Sequence, residues 1–166
     1  NNLDYSFAVG HESGDLRYSA STPGGGGELL RRQLGFLNRF FHKLPFTHMA
    51  PDSSVVHSAP EGATAWALSA PGEVYAVYVH HGRVVEDAKP RYRVDSKRQR
   101  EAKIALALPP GDYEIVWADP RSTATLPPQE ISHQGGTAVL VALTYMEDIA
   151  FVARRVAAEP SPPSAE

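Results

Sequence analysis

A chain of 166 residues can hold one domain with a real hydrophobic core, or one domain and part of another, but not a whole (β/α)8 barrel, which takes about 250 residues. Hydrophobic residues at 42% and charged residues at 21% are ordinary globular proportions and exclude wholesale disorder, while a net charge of -3 excludes the basic footprint that nucleic acid or an anionic membrane needs. With no cysteine there is neither a disulfide nor a thiolate metal site, so the core has to hold the fold alone.

From Asn1 to Gly10, Leu3, Tyr5, Phe7 and Val9 alternate with Asn2, Asp4, Ser6 and Ala8, a period of two that suits a strand end or an extended loop. These residues have neither the basic nor the apolar segment of a signal peptide, and a first residue other than Met points to a chain cut from something longer. His11 to Gly27 is rich in Ser, Gly and charge, closes on four consecutive glycines, and reads as loop.

The pattern then turns helical over 28–44. Leu30, Leu34, Leu37, Phe41 and Leu44 recur at steps of four, three, four and three, which puts them on one stripe. Leu29, Phe36 and Phe40 widen that stripe beyond half the surface, so the helix wants neighbours on more than one side. Glu28 suits the positive end of the helix dipole, and Pro45 closes the helix. Gly35 costs about 1 kcal/mol against Ala in a helix interior and so marks an expected close approach of another element.

Beyond Pro51 the signals are β almost to the end. Strands are predicted at 63–70, 73–80, 103–108, 112–118, 129–132, 137–142 and 149–156, separated by turn chemistry such as Ala70-Pro71-Gly72, Pro109-Pro110-Gly111, Asp119-Pro120 and Gly135-Gly136. Short strands at about ten-residue spacing with no helix between them predict a sandwich or small barrel. Ile104, Leu106 and Leu108 share a face, as do Tyr113, Ile115 and Trp117. The strand 73–80 is apolar on both faces and is expected at the centre of a sheet. Residues 83–100 read as a long excursion with one edge strand around Arg91 to Val94; their basic run of Lys97, Arg98 and Arg100 suits a solvated loop. Residues 157–166, with three prolines and no large apolar side chain, read as a disordered tail or the start of a linker.

Several strings are specific. Asn-Asn-Leu-Asp-Tyr-Ser-Phe at 1–7, Gly-His-Glu at 10–12, the four glycines at 24–27 and Leu-Arg-Arg-Gln-Leu-Gly at 30–35 resemble the end of the catalytic barrel in apiosidase-like bacterial glycoside hydrolases. Met-Ala-Pro-Asp at 49–52, Val-Tyr-Ala-Val-Tyr at 74–78, Leu-Pro-Pro-Gly-Asp-Tyr at 108–113 and Trp-Ala-Asp-Pro-Arg at 117–121 resemble the small β-sandwich that follows such barrels, known as the collagen-binding domain of a collagenase. The resemblance runs to about Arg155. It implies that 1–27 follows the last barrel strand, that 28–44 is the last barrel helix, and that the loop 1–27 reaches the substrate, since barrel sites lie at the C-terminal ends of the strands. It also implies a parent protein that is secreted or periplasmic.

Glycoside hydrolysis usually needs two carboxyl groups about 5–10 Å apart. Near the stub the acids are Asp4, Glu12 and Asp15, and no supported pair emerges from them. Asp4, Tyr5, His11 and Glu12 are therefore candidates to line a sugar site in the full-length protein, or else to cap loops. Trp66, Trp117, Tyr75, Tyr78, Tyr92 and Tyr113 raise sugar stacking on exposed aromatic faces; alternation puts most of them in strand interiors, Trp117 and Tyr113 suit core packing, and Trp66 is the candidate whose facing Ala65 and Ala67 leave open. The histidines, among them His42, His48, His57, His80, His81 and His133, show no metal-ligand spacing, and the glycines at 24–27 lack the ending of a phosphate loop. No metal, cofactor, nucleic acid or membrane partner is expected.

The combined expectation is a mainly β chain: an antiparallel sandwich, Ig-like or jelly-roll-like, preceded by a loop and one long α-helix. Residues 1–50 are expected as a barrel remnant, 51–156 as an accessory sandwich and 157–166 as the tail. The expected role is non-catalytic, packing on and steadying the upstream barrel. The rivals are a module that holds polysaccharide or matrix protein through exposed aromatics, and a complete small enzyme with converging carboxylates.

Overall fold

The computed structural model describes residues 27–84, 92–93 and 100–156. The chain divides into two compact units with the boundary between Lys43 and Leu44. The expected extended segment and loop over 1–26, most of the excursion between 85 and 99, and the tail from 157 lie outside the described residues.

In the first unit, α1 (Gly27–His42) carries Arg39 and His42 in its last turn, where positive charge meets the negative end of the helix dipole. Leu34, Phe36 and Phe40 are half-buried, while Leu29 and Leu37 stay 50% and 48% exposed. Two expectations are corrected. Leu44, placed on the stripe by its spacing, lies beyond the helix and falls in the second unit, where it is buried. The helix stops three residues before Pro45, which instead opens a 3-10 turn at Phe46–His48. At Gly35 an added Cβ would meet Arg39 Nη1 at 3.4 Å, one turn along the same helix, so among the described residues no other element makes the expected close approach. Among these residues no helix is long and apolar enough to cross a membrane.

The second unit is built of strands: β1 (Ala50–Pro51), β2 (Val56–Ser58), β3 (Thr64–Ala70), β4 (Val74–His80), β5 (Arg83–Val84), β6 (Tyr92–Arg93), β7 (Arg100–Leu108), β8 (Gly111–Asp119), β9 (Ala124–Thr125), β10 (Gln129–His133), β11 (Gly136–Tyr145) and β12 (Asp148–Arg155). The larger sheet runs β1-β3-β4-β12-β8-β10 with β9 beside β8, the smaller runs β11-β7-β2, and β5 pairs with β6. All these pairings are antiparallel. Each of the seven strands expected from alternation forms, and β4 sits inside its sheet between β3 and β12, with Val74, Tyr75, Ala76, Val77 and Val79 buried. The expected edge strand near 91–94 forms as Tyr92–Arg93, but it pairs with Arg83–Val84 and joins neither larger sheet.

Period two sorts the side chains into a core and two outer faces. Register aligns Ala67, Val77, Phe151 and Trp117 across four strands, all facing inward. Tyr113 and Ile115 flank them on β8. The smaller sheet answers with Ile104, Leu106, Leu108, Ala138 and Leu140, so the two inner faces form one hydrophobic cluster. Trp117 and Phe151 meet at 4.7 Å with a 49° tilt, and each is fully buried. The Tyr113 hydroxyl donates to Pro109 O at 3.0 Å, which keeps a buried polar tip satisfied. The β8 hairpin and the end of β12 are latched together: Arg155 Nη2 donates to Pro110 O at 2.8 Å, and the Val156 N–H donates to Asp112 O at 2.8 Å. Gly111, at φ 152°, lies under that arginine; a Cβ there would come within 2.7 Å of Arg155 Nε.

Replacing Phe151 by Ala removes a central ring from a closed core. The expected cost is about 3–5 kcal/mol. It should read out as a lower urea midpoint with a weakened near-UV signal from Trp117.

Candidate functional site

The outer face of the larger sheet carries the residues of opposite parity. Trp66 on β3 stands directly across from Tyr78 on β4, then Ala150 on β12 and Ala118 on β8. The next row holds Thr64, His80 and Asp148. Ala150 and Ala118 are buried, so it is the Trp66 and Tyr78 end of this row that meets solvent. Trp66 is 50% exposed and Tyr78 37%.

The rings run in sequence. Trp66 and Tyr78 lie nearly parallel, 21° apart with centroids separated by 6.0 Å. Tyr78 and His80 repeat the arrangement at 28° and 5.9 Å. Because stacked carbon atoms touch at about 3.5–4.0 Å, rings with centroids 6.0 and 5.9 Å apart are not in full face-to-face contact.

Polar groups border the row. The Tyr78 hydroxyl donates to Asp148 Oδ2 at 2.8 Å across the diagonal of the β4–β12 ladder. The Gly82 N–H donates to His80 Nδ1 at 2.7 Å, which leaves the proton of a neutral ring on Nε2. Burial pushes the Asp148 carboxyl above its ordinary range and Asp119 adds to the rise, against the Tyr78 hydrogen bond and the charges of His80 and Arg121.

The turn that presents Asp148 is clamped from several strands. Arg100 donates to Met146 O, the His81 N–H donates to Glu147 O at 3.1 Å, and His81 Nε2 lies 2.6 Å from the Tyr145 hydroxyl. Arg121 reaches Glu147 Oε1 at 3.2 Å, an exposed pair whose energy is under about 1 kcal/mol but whose geometry orients the turn. Asp119 is used locally: it accepts from the Arg121 N–H at 2.9 Å and from the Ser122 hydroxyl at 2.7 Å. That closure holds Thr123 at φ 60°, a strained value for a β-branched residue.

Of the residues singled out from sequence, Trp66 faces outward into this row, and Trp117 and Tyr113 are buried in the core. Asp4, Tyr5, His11 and Glu12 lie outside the described residues. Tyr78 is among the aromatics that the sequence offers for sugar stacking, His80 enters there only among the histidines, and Asp148 is not singled out. A parity signal existed for Tyr78: it stands an odd number of residues from Tyr75, so one of the two must face away from the core. Among the described residues, no group of three or more His, Cys, Asp or Glu is placed to hold a metal ion.

No family model matches the chain, and no curated protein matches it. Among solved structures, the chain is similar to a glycoside hydrolase and to a glycoside hydrolase family 5 protein from Bacteroides vulgatus, each at 13% identity and a TM-score of 0.48 over 74% of this chain. It spans about a quarter, 24%, of either of those structures.

The raised Asp148 carboxyl has a stability consequence. The folded state holds this proton more tightly than the unfolded chain does, so the contribution is full at low pH and is lost as pH rises through the raised value. Asp148→Asn keeps an acceptor for Tyr78 and carries no charge. Urea midpoints from acid to neutral pH should decline less steeply in this variant than in the parent chain; identical slopes would remove Asp148 as the source.

Proposed function

We propose that the chain is the C-terminal part of an exported, apiosidase-like glycoside hydrolase, and that residues 44–156 form its non-catalytic accessory sandwich, packed on the catalytic barrel and steadying it. The observation that carries this reading is the apolar face of α1. The sandwich core is closed by its own two sheets, whereas α1 in the other unit leaves Leu29 and Leu37 half in solvent. An amphipathic helix gains its stability chiefly by burying such a face. The carboxylates near the aromatic row also favour a non-catalytic role, because Asp119 fastens a turn, Glu147 pairs with Arg121 and Asp148 accepts from Tyr78. On this reading Asp4, Tyr5, His11 and Glu12 line the sugar site of the parent barrel.

The parent protein should carry a barrel-sized segment upstream of Asn1. Ending it at Lys43 should lower its melting temperature while glycoside hydrolysis persists with kcat within about tenfold, roughly 1.4 kcal/mol of barrier. A truncated parent that stays folded but loses hydrolysis altogether, with the activity found in 44–156 alone, would refute the accessory role. In the full-length enzyme Glu12→Gln should reduce kcat/KM by at least about tenfold, a loss of about 1.4 kcal/mol of transition-state stabilisation; unchanged turnover and affinity would take Glu12 out of the site.

A further inference from the structure

We infer that the outer face of the larger sheet, at Trp66, Tyr78 and His80 with Asp148 on its border, binds uncharged saccharide chains. The inference uses the geometry of the sandwich alone and stands independently of the accessory reading.

A pyranose ring presents an apolar face of C–H groups and a rim of hydroxyls. Recognition therefore calls for an exposed aromatic face with hydrogen-bonding groups beside it. Trp66 and Tyr78 supply the faces, 50% and 37% exposed and nearly parallel with centroids 6.0 Å apart. His80 continues the row at 5.9 Å, so successive rings are spaced for neighbouring sugars rather than for one compact ligand.

The border fixes the chemistry further. A carboxylate offers about four lone-pair sites, of which the Tyr78 hydroxyl uses one, so Asp148 is suited to take sugar hydroxyl donors. Proline-rich peptide, including the collagen type, would also stack on aromatic rings. Its prolines lack N–H groups, however, so the acceptor Asp148 beside the row favours a ligand rich in hydroxyl donors. Polyanions are disfavoured by charge: Asp119 and Glu147 lie near Asp148, while Arg121 is paired with Glu147. The rigidity of the turn matters as well, since the clamps from Arg100, His81 and Arg121 hold Asp148 in place before any ligand arrives.

The test uses the complete chain in affinity electrophoresis. The neutral probes are xylan, galactomannan, mixed-linkage β-glucan and arabinogalactan; polygalacturonate, poly(U) and immobilised collagen complete the panel. Retardation by at least one neutral polysaccharide is expected. Trp66→Ala or Tyr78→Ala should weaken binding of that glycan at least about tenfold, the scale of one lost stacked ring, while Val139→Ala on the other sheet leaves it unchanged. Fluorescence of the unaltered chain provides a reading free of folding effects. Trp117 is fully buried, so a glycan-induced emission shift reports Trp66. The proposal is overturned by no retardation on any neutral probe, by no emission shift with the retarding glycan, or by retardation that survives both ring removals. It is equally overturned if polygalacturonate, poly(U) or collagen is held as tightly through Trp66.

Discussion

The fold depends on one packing event, the closure of the smaller sheet over the inner face of the larger. Trp117, Phe151, Tyr113 and Ile115 cannot be sheltered by their own sheet, because every strand neighbour lies in the same plane. They need a second layer, which Ile104, Leu106, Leu108 and Leu140 provide. With no disulfide available, this burial is the main stabilising term, and each fully buried Leu or Ile side chain contributes about 1.5–3 kcal/mol of transfer free energy.

That closure also determines what the outer face can be. Once the register puts Val77 opposite Phe151, period two sends Tyr78 and Ala150 outward, and the β3–β4 pairing brings Trp66 beside them. The aromatic row is thus a by-product of core registration. A slip of one residue would bury Tyr78 and expose Val77. The backbone positions of these rings are therefore set by the core beneath them.

The two units differ in how complete they are. The sandwich closes the inner faces of its two sheets against each other, leaving Trp66, Val139 and Val141 on its outer faces, and latches its last strand through Arg155 and Val156. The helix keeps large aliphatic side chains in solvent at Leu29 and Leu37. This contrast fits a chain in which one part folds as its own domain and the other is shaped for a further body, and it underlies the accessory reading.

Alternation and turn residues alone determined the seven longer strands, the inward sets at 104–108 and 113–117, and the interior position of β4, because these patterns are local and repeat every two residues. The short strands β1, β2 and β9 escaped notice, since two or three residues carry no periodicity and become strands only when a neighbour supplies hydrogen bonds. Leu44 was misplaced for a similar reason: helical spacing continues on paper past the point where the chain leaves the helix. Trp66 among alanines had no facing until it was registered against Tyr78, and the Tyr78–Asp148 pair joins residues 70 positions apart. Side-chain parity is written along one strand, but which strands lie together is decided by the burial of the whole core, and that is why the candidate site became visible only in three dimensions.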